Sequence, residues 1–154
     1  MRLPFNGRNK ITSAYGYRMI NGAKEFHKGW DIVGVDDITI YAPCDAIVGN
    51  STIVTDKNNL TWTWGNYVRL DCPNGDRIFM CHMSKRLVKR GDVVKEGQAI
   101  GIMGSTGYSF GAHVHMEFRR KPHSSSSHFC PNERIINVPN ASGVYIVENT
   151  ADNS

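Results

Sequence analysis

NYVRLDCPNGDRIFMCHM, residues 66–83, carries the signature of two strands folded back on each other. Asn74-Gly75 tolerates the positive φ that a two-residue hairpin loop requires, and the flanks are rich in β-branched, aromatic and other apolar residues. The spacing predicts strands over Trp62–Asp71 and Arg77–Met83, with the turn at Pro73-Asn74-Gly75-Asp76. A loop of that length would set Cys72 opposite Arg77, so a cross-strand disulfide between Cys72 and Cys81 is not expected.

Outward from the hairpin the same texture continues. Fifteen glycines punctuate short apolar runs, and further strands are expected at Gly29–Val33, Ile38–Tyr41, Ala46–Thr55, Ala99–Met103 and His113–Arg119. Only Ser84–Lys89 reads as helical. The chain is therefore expected to be all-β and mainly antiparallel, a two-sheet domain with an open groove and little helix. At 154 residues one core suffices. Residues 1–120 read as the principal domain. Residues 121–154, beginning near HSSSSH and carrying three prolines, read as a loop and then an irregular or single-strand extension, weakly ordered at Ala151–Ser154.

The 40% apolar content excludes a disordered chain. No apolar run approaches the roughly 20 residues that cross a bilayer, and MRLPFNGRNKITSAYG lacks a secretion signal's apolar stretch. Export by another route, a domain of a longer chain, or a signal already removed would each account for that. A net charge of +4 is spread thinly, apart from Lys85, Arg86, Lys89, Arg90 and from Arg119, Arg120, Lys121. With no nucleic-acid-binding motif, neither nucleic acid nor membrane is an expected partner. Cys44, Cys72, Cys81 and Cys130 show no C-x-x-C spacing, which argues against a structural zinc site and a thioredoxin-like pair.

The histidines suggest chemistry. In FHKGWDIVG, residues 26–34, His27 and Asp31 are four apart. On a straight strand that is roughly 13 Å, too far to share an ion, but a turn at Lys28-Gly29 can bring the two together. In AHVHMEFR, residues 112–119, His113 and His115 alternate on one strand face about 7 Å apart at Cα. Either both bind one ion, or one binds while the other holds the attacking water. His82 ends the second hairpin strand. A carboxylate with imidazoles suits zinc, and a catalytic zinc keeps three protein ligands and one open position. The spare histidines can then move protons. No recognisable cysteine nucleophile competes with this scheme. His123 and His128 flank four serines and are read as surface residues.

Taken in order, SAYGYR, HKGWDIVG, IYAPCDAIV, GNYVRLD, CHMS and VVKEGQAIGIMGSTGYSFGAHVHMEFR resemble the lysostaphin and LytM class of zinc endopeptidases, over roughly residues 12–119. The resemblance implies one Zn2+ held by His27, Asp31 and His115, with His82 and His113 acting on protons and the oxyanion. It implies Asn66 in the substrate groove, with Tyr17 nearby. The substrate would be the peptide cross-links or bridges of bacterial peptidoglycan. The protein would act at the cell wall as a monomer or as part of a larger protein, secreted, virion-associated or phage-released, for instance as a phage lysin or tail-associated module. The alternative is a catalytically silent module that binds the wall or activates another hydrolase, although members of that kind usually lack one or more of these five residues. Departures such as Ala112, Cys81 and Trp30 touch no implied ligand.

Overall fold

The computed structural model describes residues 1–55, 58, 62–109 and 111–149; the expectation for Ala151–Ser154 lies outside them. In chain order the strands are β1 (Arg8–Ser13), β2 (Gly16–Ile20), β3 (Ala23–His27), β4 (Trp30–Gly34), β5 (Thr39–Tyr41), β6 (Ala46–Ile53), β7 (Asn66–Asp71), β8 (Arg77–Met83), β9 (Lys85–Arg86), β10 (Val93–Val94), β11 (Ala99–Ile102), β12 (Val114–Arg119), β13 (His128–Phe129) and β14 (Tyr145–Glu148). Nine of them form one antiparallel sheet in the order β10-β6-β7-β8-β12-β4-β1-β14, with β13 also beside β12. A three-stranded sheet, β5-β11-β9, and the β2-β3 hairpin complete the architecture. The all-β, antiparallel expectation holds, with the hairpin as a further small sheet.

Alternation within the strands divides two environments. Trp30 and Ile32 of β4, Ile78 and Met80 of β8, and Val114, Met116 and Phe118 of β12 enter the main core with Leu3, Phe5 and Ile100. The other face of β7 and β8 buries Tyr67, Phe79 and Cys81 in a smaller group beside Trp64. Residues beyond 120 are built into the same body. β13 continues the β12 edge where β4 ends, β14 pairs with β1, and Phe129, Ile135 and Val138 are buried in the main core.

Three local expectations are corrected. The hairpin register pairs Asp71, not Cys72, with Arg77. Gly75 N–H donates to Cys72 O, and Gly75 has φ of 93°. Pro73 thus occupies the second position of a type I turn, which adds a third loop residue, Gly75, in the left-handed region and shifts the register by one. Trp62–Trp64 is a 3-10 turn, so β7 starts only at Asn66. Ser84–Lys89 is not helical: Lys85 and Arg86 pair with Ile102 and Gly101, and Leu87 N–H donates to Ile100 O. Tertiary pairing overrides the weak propensity of so short a segment.

Candidate metal centre and groove

The three expected ligands arrive from separate strands. His27 ends β3, the chain turns through Lys28-Gly29, and Asp31 lies in β4 on the face opposite the buried Trp30 and Ile32. Gly29 is needed because it crosses β12 so closely that a Cβ would lie 2.2 Å from Met116 O. His115 stands directly opposite Asp31 in the β4-β12 register. His27 Nε2, Asp31 Oδ1 and His115 Nδ1 consequently form a triangle with edges of 3.0, 3.2 and 3.2 Å. Zinc bonds of about 2.0–2.1 Å at tetrahedral angles hold ligand atoms about 3.3 Å apart, so this donor set fits one such ion.

Hydrogen bonds on the far side of each ring set the tautomers. His27 Nδ1–H donates to Ala14 O at 2.9 Å, leaving the Nε2 lone pair inward. His115 Nε2–H donates to Glu117 Oε1 at 3.0 Å, leaving Nδ1 inward, and Glu117 Oε2 accepts from Arg119 Nε at 2.6 Å. Partners of this kind fix ring orientation and strengthen the ligand. Asp31 Oδ2 accepts from Arg18 Nη1 at 3.2 Å, which commits its second oxygen.

Burial alone would raise the Asp31 carboxyl, but hydrogen bonds and charge from His115 and His27 hold it well below the usual carboxylate range. Burial likewise works against charge on His115, yet Asp31 and Glu117 on either side raise its pKa to about 9 without the metal. Glu117 is held below the usual carboxylate range despite its burial by His115 and Arg119. In the metal-free protein a proton on His115 supplies the positive charge that a cation would bring.

His113 and His82 sit beside the triangle with ring centroids 4.8 Å apart. His113 Nδ1–H donates to Gly111 O at 2.9 Å, and its Nε2 is 3.6 Å from Asp31 Oδ1. His82 reaches the groove by breaking alternation. It has φ of 69°, and the core-facing positions switch from even to odd across it: Ile78 and Met80 before, Met83 after. A non-glycine residue in this region costs on the order of 1 kcal/mol or more. The Thr106 carbonyl, accepting from His82 Nδ1–H at 2.8 Å, holds it there. Burial pushes the His82 pKa down to about 4, and neighbouring His113 and His115 add to the effect, so the ring is neutral near pH 7.

These residues open onto a cavity of about 560 Å³ lined also by Thr63, Trp64, Tyr108, Ser109, Arg18 and Ile20. Tyr108 and Ser109, in the loop after β11, therefore lie beside the groove. Tyr17 and Asn66 do not line it. Tyr17 is exposed on β2 with Lys24 over its ring. Asn66 Oδ1 accepts from Arg86, while its N–H donates to Thr106 Oγ1 and so braces the loop that holds His82. Glu117, Arg119 and Arg18 were missed in the sequence reading. Continuing the His113, His115 alternation to Glu117 and Arg119 would have found the first two, whereas nothing local marks Arg18.

A model of peptidase family M23 matches residues 25–127. Peptidoglycan DD-endopeptidase ShyC of Vibrio cholerae is 33% identical over 121 residues, covering 77% of this chain but 26% of that protein. The chain thus spans about a quarter of that relative. The catalytic domain of the antimicrobial peptidase lysostaphin from Staphylococcus simulans superposes with a TM-score of 0.66 at 30% identity, over 80% of this chain and 89% of that one. A zinc-containing peptidase from Vibrio cholerae superposes with a TM-score of 0.59 at 30% identity, over 75% and 35% of the two chains.

Proposed function

The chain belongs to peptidase family M23, and from that premise we propose that it is a zinc-dependent endopeptidase hydrolysing the peptide cross-links or bridges of bacterial peptidoglycan. The observation that carries the reading is the convergence of His27 Nε2, Asp31 Oδ1 and His115 Nδ1 within 3.2 Å of one another, with the outward ring nitrogens of both histidines already committed. The resemblances to a peptidoglycan endopeptidase and to lysostaphin support the substrate class.

Zinc bound there would supply an acidified water, with a pKa near about 7, and a Lewis acid toward the scissile carbonyl. The remaining work falls to the chain. His113 and His82 each spend Nδ1–H on a backbone carbonyl, which leaves two Nε2 lone pairs as proton acceptors. His113, closer to Asp31, accepts the proton of the attacking water and passes it to the departing amine. His82, neutral near pH 7 with its Nδ1–H spent on Thr106 O, keeps an Nε2 lone pair that accepts from and orients that water. Trp64 and Tyr108 offer flat walls to an extended peptide, and the net charge of +4 favours approach to an anionic wall.

Metal analysis joined to a wall-lysis assay tests this. The purified protein should hold close to one zinc per chain, lose lysis on chelation and regain it with zinc. No stoichiometric zinc, together with undiminished lysis by His27→Ala, would overturn the proposal.

A further inference from the structure

Cys44 and Cys72 are 28 positions apart in sequence, yet their Sγ atoms lie 3.5 Å from each other and both thiols are free. The backbone fixes both places. Cys44 lies in the turn between β5 and β6, where Pro43 O accepts from Arg2 N–H and Ala42 exchanges hydrogen bonds with Gly97 and Gln98. Cys72 opens the β7-β8 turn, donating to Asp76 O and accepting from Gly75 N–H. A disulfide spans about 2.05 Å, so closure needs the sulfurs to approach by about 1.5 Å.

A second cavity, of about 370 Å³, opens beside both sulfurs and is lined also by Asp45 and Glu96. Neither cysteine lines the metal groove. Cys81, by contrast, is fully buried with Tyr67 and Phe79. We infer that Cys44 and Cys72 are a site of thiol–disulfide exchange, closing a reversible disulfide that staples the β5-β6 turn to the β7-β8 hairpin.

The exchange balances with a small disulfide as oxidant. Cys44, the more accessible of the two, is acidified by the hydrogen bond from Cys72, whereas that bond, and then burial, push Cys72 upward. The Cys44 thiolate attacks one sulfur of the oxidant and expels its first thiol. Cys72 then gives up its proton, attacks the Cys44 sulfur and expels the second. Two protein thiols lose two electrons, and one small disulfide becomes two thiols. Asp45, Glu96 and Met1 line the same cavity, and cystamine, a small symmetrical disulfide that leaves as two identical thiols, is the probe.

The test treats the full chain with cystamine, or with a phosphine reductant, and reads mass, thiol content and Tm. Oxidation should remove about 2 Da with no adduct retained. Alkylatable thiols should fall from four to two, and a Cys44–Cys72 peptide should appear in a non-reducing digest. Closing a ring of this length should raise Tm by roughly 5–10 °C. Cys44→Ser should abolish the Tm rise. Four thiols remaining, a stable cysteamine adduct on Cys44, a cross-link through Cys81 or Cys130, or a Tm rise persisting in Cys44→Ser would each overturn the inference.

Discussion

Replacing Glu117 by Gln separates the metal centre from its support, because the amide can satisfy only one of two demands. Glu117 is 2% exposed and uses both oxygens as acceptors, one for His115 Nε2–H and one for Arg119 Nε–H. If the Gln oxygen faces His115, its NH2 meets the Arg119 donor. If the oxygen turns to Arg119, the NH2 faces His115, whose Nε2 must then accept, sending the proton to Nδ1, the nitrogen offered to the metal. Loss of such a partner lowers metal affinity by about 10- to 100-fold, or roughly 1.4–2.8 kcal/mol. Arg119 keeps the ring of Phe79 at 4.7 Å in either case, which favours survival of the fold. Competition with a chromophoric chelator at pH 7.5 gives the zinc Kd, and a CD melt checks folding. A folded Glu117→Gln that binds zinc within twofold of the parent would refute the tautomer argument.

Other consequences are as direct. His113→Ala should retain zinc and abolish turnover; loss of zinc, measured by metal analysis, would mean that His113 and His115 have been assigned each other's roles. Because His115 holds a proton up to about pH 9 in the metal-free protein, zinc entry at neutral pH must displace it. Lower pH favours that proton, so apparent affinity should fall about tenfold per unit below about pH 9. Calorimetry in buffers of different ionisation enthalpy should show proton release, and an affinity flat between about pH 7 and 8.5 would contradict this. Gly29→Ala places a Cβ 2.2 Å from Met116 O, a backbone atom that cannot step aside without disturbing the β4-β12 pair. It should cost about 3 kcal/mol or more in urea melts; a change below about 1 kcal/mol would show that the crossing is looser.

Much of the molecule was legible because the information is local. Asn74-Gly75 marked its hairpin, alternation marked β12, and Gly29 marked the turn that joins His27 to Asp31. What escaped is set by partners distant in sequence. The β4-β12 register, which puts His115 opposite Asp31, has no signature in either strand. Lys85 and Arg86 are strand only because β11 offers an edge. His82 enters the groove through a left-handed backbone that its Thr106 contact sustains, and simple alternation would have sent it toward the core. Asn66 and Tyr17 came from resemblance alone, and their side chains here are engaged by Arg86 and Lys24 outside the groove lining.

The central claim, hydrolysis of a wall peptide at the His27, Asp31, His115 centre, is tested most directly by digesting purified peptidoglycan in 18O-water and reading the released fragments by mass spectrometry. The account predicts new amino termini paired with carboxyl groups that carry the heavy oxygen, and none from the His115→Ala protein. Zinc-loaded protein that releases no labelled fragment from any cross-bridge type, or equal release by His115→Ala, would contradict it.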